Sequence, residues 1–324
     1  MDRIDPWRDV ADALLGPPEL TPPEVARESG VDPDQARLLW RALGFPPVAD
    51  DDRVFTRSDV AILREVRAVL EVDVATRDDL LQITRVIGQA LARVADAQVT
   101  ASATRLEQLQ TPGASELLAP AAIAARVAQL APRLEQFLAH VWRRHLLAAL
   151  RRRGARPSDA DRDVAVGFAD LVGFTALSQA LAPHELAVAV DRFEAIAYEH
   201  VTEHGGRLVK TIGDEVMFAA DDGLAAAAIA LDLADAYRRD SDLPGVRVGL
   251  AFGPVLSWEG DLYGPTVNLA SRLVNLAHAN SVLVSDELGE ALQDAPGFAL
   301  RHLRAVNLQG IGRARSWVLR RAKE

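Results

Sequence analysis

The feature that most restricts this chain is a change of rhythm near residue 154. Before it, apolar residues recur three and four positions apart, as in Val60, Leu63, Val66, Val69 and Leu70, then Leu80, Ile83, Val86, Ile87, Leu91 and Val94. That period gathers them on one helix face. After it, short apolar runs alternate with helical stretches and glycine-containing turns. One layer pattern cannot serve both rhythms. The sequence therefore predicts an all-helical domain over 1–153, a polar linker at 154–163 (GARPSDADRD), and a separate α+β domain over 164–324. A length of 324 residues suits two domains, each large enough to bury its own core.

Within the first part, Gly16-Pro17-Pro18, Pro22-Pro23, Pro46-Pro47, Pro112-Gly113 and Pro132 are the expected breaks. Its last segment, Arg133 to Arg153, reads as an uninterrupted helix closed by arginines and Gly154. In the second part, strands are expected at Val164 to Ala169, Arg207 to Ile212, Glu215 to Ala219, Val246 to Phe252, Ser281 to Val284, Phe298 to Leu308 and Ser316 to Leu319. Helices are expected at Pro183 to His204, Leu224 to Tyr237 and Thr266 to Ala277. The lack of a strict strand-helix-strand repeat favours a largely antiparallel sheet with helices on one face.

Composition narrows the chemistry. The chain has no cysteine, which excludes disulfides, thiol nucleophiles and cysteine-rich zinc sites. No apolar stretch reaches the ~18 residues a membrane span needs, and the opening MDRIDPWRDV has no signal-peptide pattern, so a cytoplasmic protein is expected. A net charge of −10 provides no general attraction to nucleic acid. Of 36 basic residues only Lys210 and Lys323 are lysine.

Three segments carry candidate chemistry. Asp170 closes an apolar strand and is followed by Leu171-Val172-Gly173-Phe174-Thr175. Asp214 sits in the turn of KTIGDEVMF. Two strand-end carboxylates offer hard oxygen ligands suited to Mg²⁺ or Mn²⁺ rather than zinc, although solvated turn aspartates would show the same spacing. In GDLYGPTVNLASR, Pro265 marks a helix start, so Asn268 and Arg272 share one face, with Leu269, Leu273 and Leu276 expected as the buried stripe. A solvated polar stripe is the alternative.

Taken together, FADLVGFT, KTIGDEVMF and GDLYGPTVNLASR resemble the catalytic domain of class III adenylyl cyclases over about residues 160–320. The resemblance implies a ferredoxin-like α+β fold working as a head-to-tail homodimer on ATP. It implies two Mg²⁺ or Mn²⁺ ions per active site held by Asp170, Leu171 and Asp214. From the partner copy it implies Lys210 and Asp261 at the adenine, Asn268 at the ribose and Arg272 at the reacting phosphate. Phe174 and Thr175 would meet the triphosphate. A lysine at this one position, in a chain that otherwise uses arginine, is not interchangeable with an arginine. Lysine is donor-only and matches adenine N1, and an ionised aspartate accepts from the 6-amino group. Guanine would demand the reverse. The family's triphosphate lysine is missing from Val306 to Arg315, where Arg313 or Arg315 is the candidate substitute.

Residues 21–70 are similar to the helix-turn-helix of MerR-type regulators, yet this stretch carries more acidic than basic side chains, which suits packing or regulation better than DNA. The whole helical part resembles the autoinhibitory domains of actinobacterial cyclases. Some of those domains respond to pH, and a lipid or other apolar effector suits this sequence equally. His140 and His145, on Arg133 to Arg153, are the candidate titrating groups, with ordinary surface or core histidines as the alternative. Alternatives are another palm-type enzyme such as a diguanylate cyclase, which leaves Asp261, Asn268 and Arg272 unused, and a nucleotide-sensing or DNA-bound regulator with an inactive cyclase domain.

Overall fold

The computed structural model describes residues 7–72, 76–108, 120–154 and 162–322. The chain falls into two compact units, residues 1–155 and 156–324. The first contains α1 (Arg8–Leu15), α2 (Pro22–Ser29), α3 (Pro33–Ala42), α4 (Arg57–Glu71), α5 (Arg77–Gln108) and α6 (Pro120–Gly154). Local chemistry sets these boundaries. Thr21 and Glu24 form a reciprocal capping box at the start of α2, and Gly30 ends it in the left-handed conformation at φ 72°. Asp32 then caps α3 by accepting from the N–H groups of Asp34 and Gln35, so two helices meet at a tight turn. Leu20, Val25, Phe55 and Val60 form the buried centre, with Trp40, Val48 and Leu63 against it.

The break expected at Pro132 is absent: α6 runs through it, so the helix expected to start at Arg133 starts at Pro120. An internal proline removes one helical hydrogen bond and crowds the carbonyl four residues earlier. That local cost is outweighed within the unit, where α1 packs against this long helix. Pro112-Gly113 and residues 155–161 of the expected linker lie outside the described residues, while Arg162 and Asp163 already belong to a strand.

The second unit contains β1 (Arg162–Leu171), α7 (Phe174–Ala180), α8 (Pro183–Glu203), β2 (Arg207–Ile212), β3 (Glu215–Ala220), α9 (Gly223–Arg239), β4 (Val246–Trp258), β5 (Asp261–Tyr263), α10 (Pro265–Leu276), β6 (Ser281–Ser285), α11 (Asp286–Leu292), β7 (Phe298–His302), β8 (Val306–Leu308), β9 (Gly312–Ala314) and β10 (Ser316–Arg321). The main sheet runs β2-β3-β1-β4-β6-β10-β7, with β5 paired to the far end of β4. Only β4 and β6 are parallel among the described main-sheet pairs. The single strand expected over Phe298 to Leu308 is two: β7 joins the sheet edge, and β8 turns away to pair with β9.

Alternation along β1 divides two cores. Ala165, Ala169 and Leu171 point into a large core with α8, α9 and α11, where Tyr237 donates to the Phe193 carbonyl at 2.6 Å. Val164, Val166 and Phe168 point to the opposite core, where Ala270 and Val274 of α10 meet them. Helices therefore cover both faces, not the one face expected. The reason is Gly249 of β4, where a Cβ would stand 2.2 Å from the Val274 nitrogen and 2.6 Å from the Ala270 carbonyl oxygen. A bare backbone here lets α10 lie directly on the sheet. The expected buried stripe of α10 is rotated by this contact: Leu273 and Val274 are buried, and Leu276 is exposed.

Gly249→Val forces backbone against backbone. It should destabilise the chain by about 3 kcal/mol or more, read as a lower urea midpoint, and cost more than the same change at the open Gly260 turn, where only the positive φ of 81° opposes it.

Candidate active site

Asp170 is the last residue of β1 on the α10 face. The antiparallel registers put Glu215 of β3 on one side of it and Arg247 of β4 on the other. The three side chains thus form a row across adjacent strands. Arg247 Nε donates to Asp170 Oδ2 at 2.6 Å, and only 14 % of the Asp170 side chain is exposed. Asp214 follows Gly213, which takes φ 63° as this turn requires. The turn is tied to the end of β1 by Leu171 N–H donating to the Asp214 carbonyl at 3.0 Å. Asp170, Leu171 and Asp214 are thereby brought together.

Burial pushes the Asp170 carboxyl above its ordinary range; Arg247 opposes this, and the Asp214 charge adds to it. Glu215 is pushed up to about 7 by burial first, then by the charges of Asp170 and Asp214. This concentration of negative charge on oxygen fits a divalent cation. No three His, Asp or Glu side chains are gathered as a complete cage among the described residues. Magnesium and manganese sites of two carboxylates are ordinarily completed by substrate phosphates and water.

Lys210 reaches the same sheet face through an irregularity. Leu208 pairs with Phe218 and Lys210 with Met217, leaving Val209 as an extra residue in β2. Simple alternation would send Lys210 to the side of Leu208, which packs in the α8–α9 core. The bulge turns it to the α10 face instead. There its Nζ donates to Asp261 Oδ2 at 2.5 Å, while Asp261 Oδ1 accepts from Leu262 N–H at 2.7 Å. A donor and an acceptor 51 positions apart in sequence meet on one half-buried spot.

Asn268 and Arg272 are exposed on α10, one turn apart, and neither bonds to another described side chain. The first turn of α10 is fastened at Pro254, seven register positions along β4 from Arg247, about 23 Å at ~3.3 Å per residue, and the helix runs back from there to Gly249, two positions from Arg247. Phe174 and Thr175 open the short α7; Phe174 packs against the core and Thr175 is exposed. Arg313 is exposed on β9, whereas Arg315 is held by Asp286 at 2.7 Å and is thereby occupied.

Sequence reasoning passed over Glu215 and Arg247 as site members. Their signal was available: each is a lone charge at the head of an otherwise apolar strand. His140 and His145 are both exposed on α6.

This sheet, with its paired strand-end aspartates, defines a class. Residues 157–321 match the family described as adenylate and guanylate cyclase catalytic domain, and residues 10–150 match the adenylate cyclase regulatory domain. The chain belongs to the class III adenylate and guanylate cyclase family. It is 37 % identical to an adenylate cyclase of Streptomyces coelicolor over 99 % of this chain and 92 % of that protein. An adenylate cyclase of Streptomyces griseus is 40 % identical over 84 % and 68 %. A pH-sensitive adenylate cyclase of Mycobacterium tuberculosis is 32 % identical over 89 % and 74 %. No described helix is long and apolar enough to cross a membrane.

The raised Glu215 carboxyl has a consequence for stability. The folded chain holds a proton there between pH ~4.5 and about 7 that the unfolded chain releases, so this group's contribution to stability falls as pH rises through that window. Glu215→Gln should raise the melting temperature relative to wild type at pH 7.5, and the gap should shrink towards pH 5. A gap independent of pH would contradict the assignment.

Proposed function

We propose that this chain is an adenylyl cyclase, converting ATP to 3′,5′-cyclic AMP and pyrophosphate at sites shared by two copies. The observation that carries the reading is the Lys210–Asp261 pair. Its donor and acceptor match N1 and the 6-amino group of adenine and mismatch guanine. The adenylate cyclase names of the relatives agree with it. The family match agrees with a head-to-tail homodimer, in which Asn268 and Arg272 of each copy would complete the other's site.

Asp170, Asp214 and the Leu171 carbonyl would hold the two Mg²⁺ or Mn²⁺ ions. Those ions, when bound, supply Lewis acidity to the ribose 3′ hydroxyl and countercharge to the triphosphate. The rest is done by side chains. Lys210 and Asp261 fix the purine, and Asn268 holds the ribose so that its 3′ oxygen lies in line with the α-phosphate. As the new P–O bond forms and the bond to the β-phosphate bridging oxygen breaks, Arg272 stabilises the charge on the pentacovalent phosphorus. Arg313 and the first turn of α7 at Phe174 and Thr175 would meet the departing pyrophosphate, while Arg247 stays paired with Asp170. Arg313 takes the place of the family's lysine, since Arg315 is already engaged.

The helical unit is the regulatory part in this reading, responding to a proton or a lipid, in line with its family match and the pH-sensitive relative. DNA binding is not part of it.

Purified chain incubated with ATP or GTP and Mg²⁺ or Mn²⁺ should yield cyclic AMP, identified by chromatography and mass. No cyclic nucleotide under any combination would overturn the reading. Asn268→Ala and Arg272→Ala should each lower kcat by about 100-fold. Lys210→Glu with Asp261→Cys should abolish the preference for ATP over GTP. If His140 and His145 are the sensors, replacing both by alanine should flatten the activity profile between pH 5.5 and 8.

A further inference from the structure

We infer that Thr266 is a positioning residue whose buried hydroxyl, bonded to the Pro254 carbonyl, sets the attitude of α10 and so aims Asn268 and Arg272. The inference rests on the roles proposed above for those two side chains.

The start of α10 lacks the usual means of being fixed. Its N-cap is Gly264, which has no side chain to accept from the first turn, and Pro265 has no N–H to donate. What holds this end is Thr266: its side chain is buried, and Oγ1 donates to the Pro254 oxygen at 2.8 Å. The contact is built from both sides. A Cβ on Gly253, the residue before Pro254, would stand 2.9 Å from that hydroxyl oxygen, so glycine makes room for it. The other end of the helix is seated separately, on Gly249. These two fastenings sit at either end of a helix whose inner face, at Ala270, Leu273 and Val274, is buried against the sheet.

Asn268 and Arg272 project from the opposite side of α10, two and six residues beyond Thr266. Ala270, Leu273 and Val274 anchor the half of α10 near Gly249, so loss of the Thr266 bond is felt most at the start of the helix, where Asn268 lies. Misplacement of ~1 Å is enough to cost a large factor in an in-line displacement. The hydroxyl therefore acts on the rate through Asn268 and Arg272 and does not touch the nucleotide itself.

The test uses the full chain and two substitutions that keep the shape of the side chain nearly constant. Thr266→Val removes only the donor; it should lower kcat for cyclic AMP formation 10-fold or more, with the KM for ATP changed less than twofold. Thr266→Ser restores the donor and should return kcat to within threefold of wild type. Thermal melts establish that both variants are folded at the assay temperature. A mixing experiment then asks which half of the shared site is damaged. Thr266→Val mixed with Asp170→Asn should regain activity as fully as Asn268→Ala mixed with Asp170→Asn, while Thr266→Val mixed with Asn268→Ala should regain none. Near wild-type kcat in folded Thr266→Val, no recovery in Thr266→Ser, or recovery against Asn268→Ala would each overturn the inference. Failure of Asp170→Asn and Asn268→Ala to rescue one another would instead count against the shared site, and Thr266 would be judged on its kcat alone.

Discussion

The catalytic unit depends on the register of β1. This strand is bonded antiparallel to β3 and β4, and its apolar side chains alternate between two separate cores. A slip of one residue would exchange Val164, Val166 and Phe168 with Ala165, Gly167 and Ala169, leaving large side chains where α9 packs close and a void beneath α10. Apolar packing therefore specifies on which face Asp170 emerges. It also brings Glu215 and Arg247 to its sides, so hydrophobic contacts along the strand determine the electrostatics at its end. Carboxylates held this close, and partly out of water, resist ionisation. The guanidinium of Arg247 offsets part of that strain and keeps the site anionic enough to attract a cation.

Small residues set the layer spacings. Glycine at 249 admits α10 to the sheet at backbone contact, and glycine at 206 gives α8 and α9 similar freedom near the start of β2. On the other face the alanines of α9, at 226, 227 and 230, are fully buried. The result is a stiff platform on which polar groups stand at its margins. One margin holds the carboxylates; the other holds the end of α10. The bulge at Val209 and the pairing of the far end of β4 with β5 bring Lys210 and Asp261 together.

Much of this was legible in the sequence. The change from a helical to an alternating period marked a helical part and a mixed sheet part, because burial imposes different periods on helices and strands. The strand-end aspartates, the lysine and the polar pair on α10 were visible as residue types at fixed spacing, and Lys210 stood out because the chain otherwise uses arginine. What escaped depended on long-range contacts. The side of the sheet that α10 covers follows from Gly249 meeting residues more than twenty positions away. The bulge at Val209 violates the alternation by which strands are read. Pro132 is a local breaker overruled by tertiary packing. Glu215 and Arg247 acquire meaning only once three strands align, although each was conspicuous as a charge in an apolar run.

The pairing of Lys210 with Asp261 within one polypeptide has an evolutionary consequence. Under the proposed function, the groups that would contact the purine are encoded in one gene and already contact each other within a single chain. Choice of base is then inherited with the individual chain, not negotiated between subunits. A duplicated copy could drift towards another nucleotide, or lose its pocket altogether, while its aspartates continued to serve an unchanged partner. Asymmetric assemblies with one working pocket are thus a short mutational distance from a symmetric ancestor.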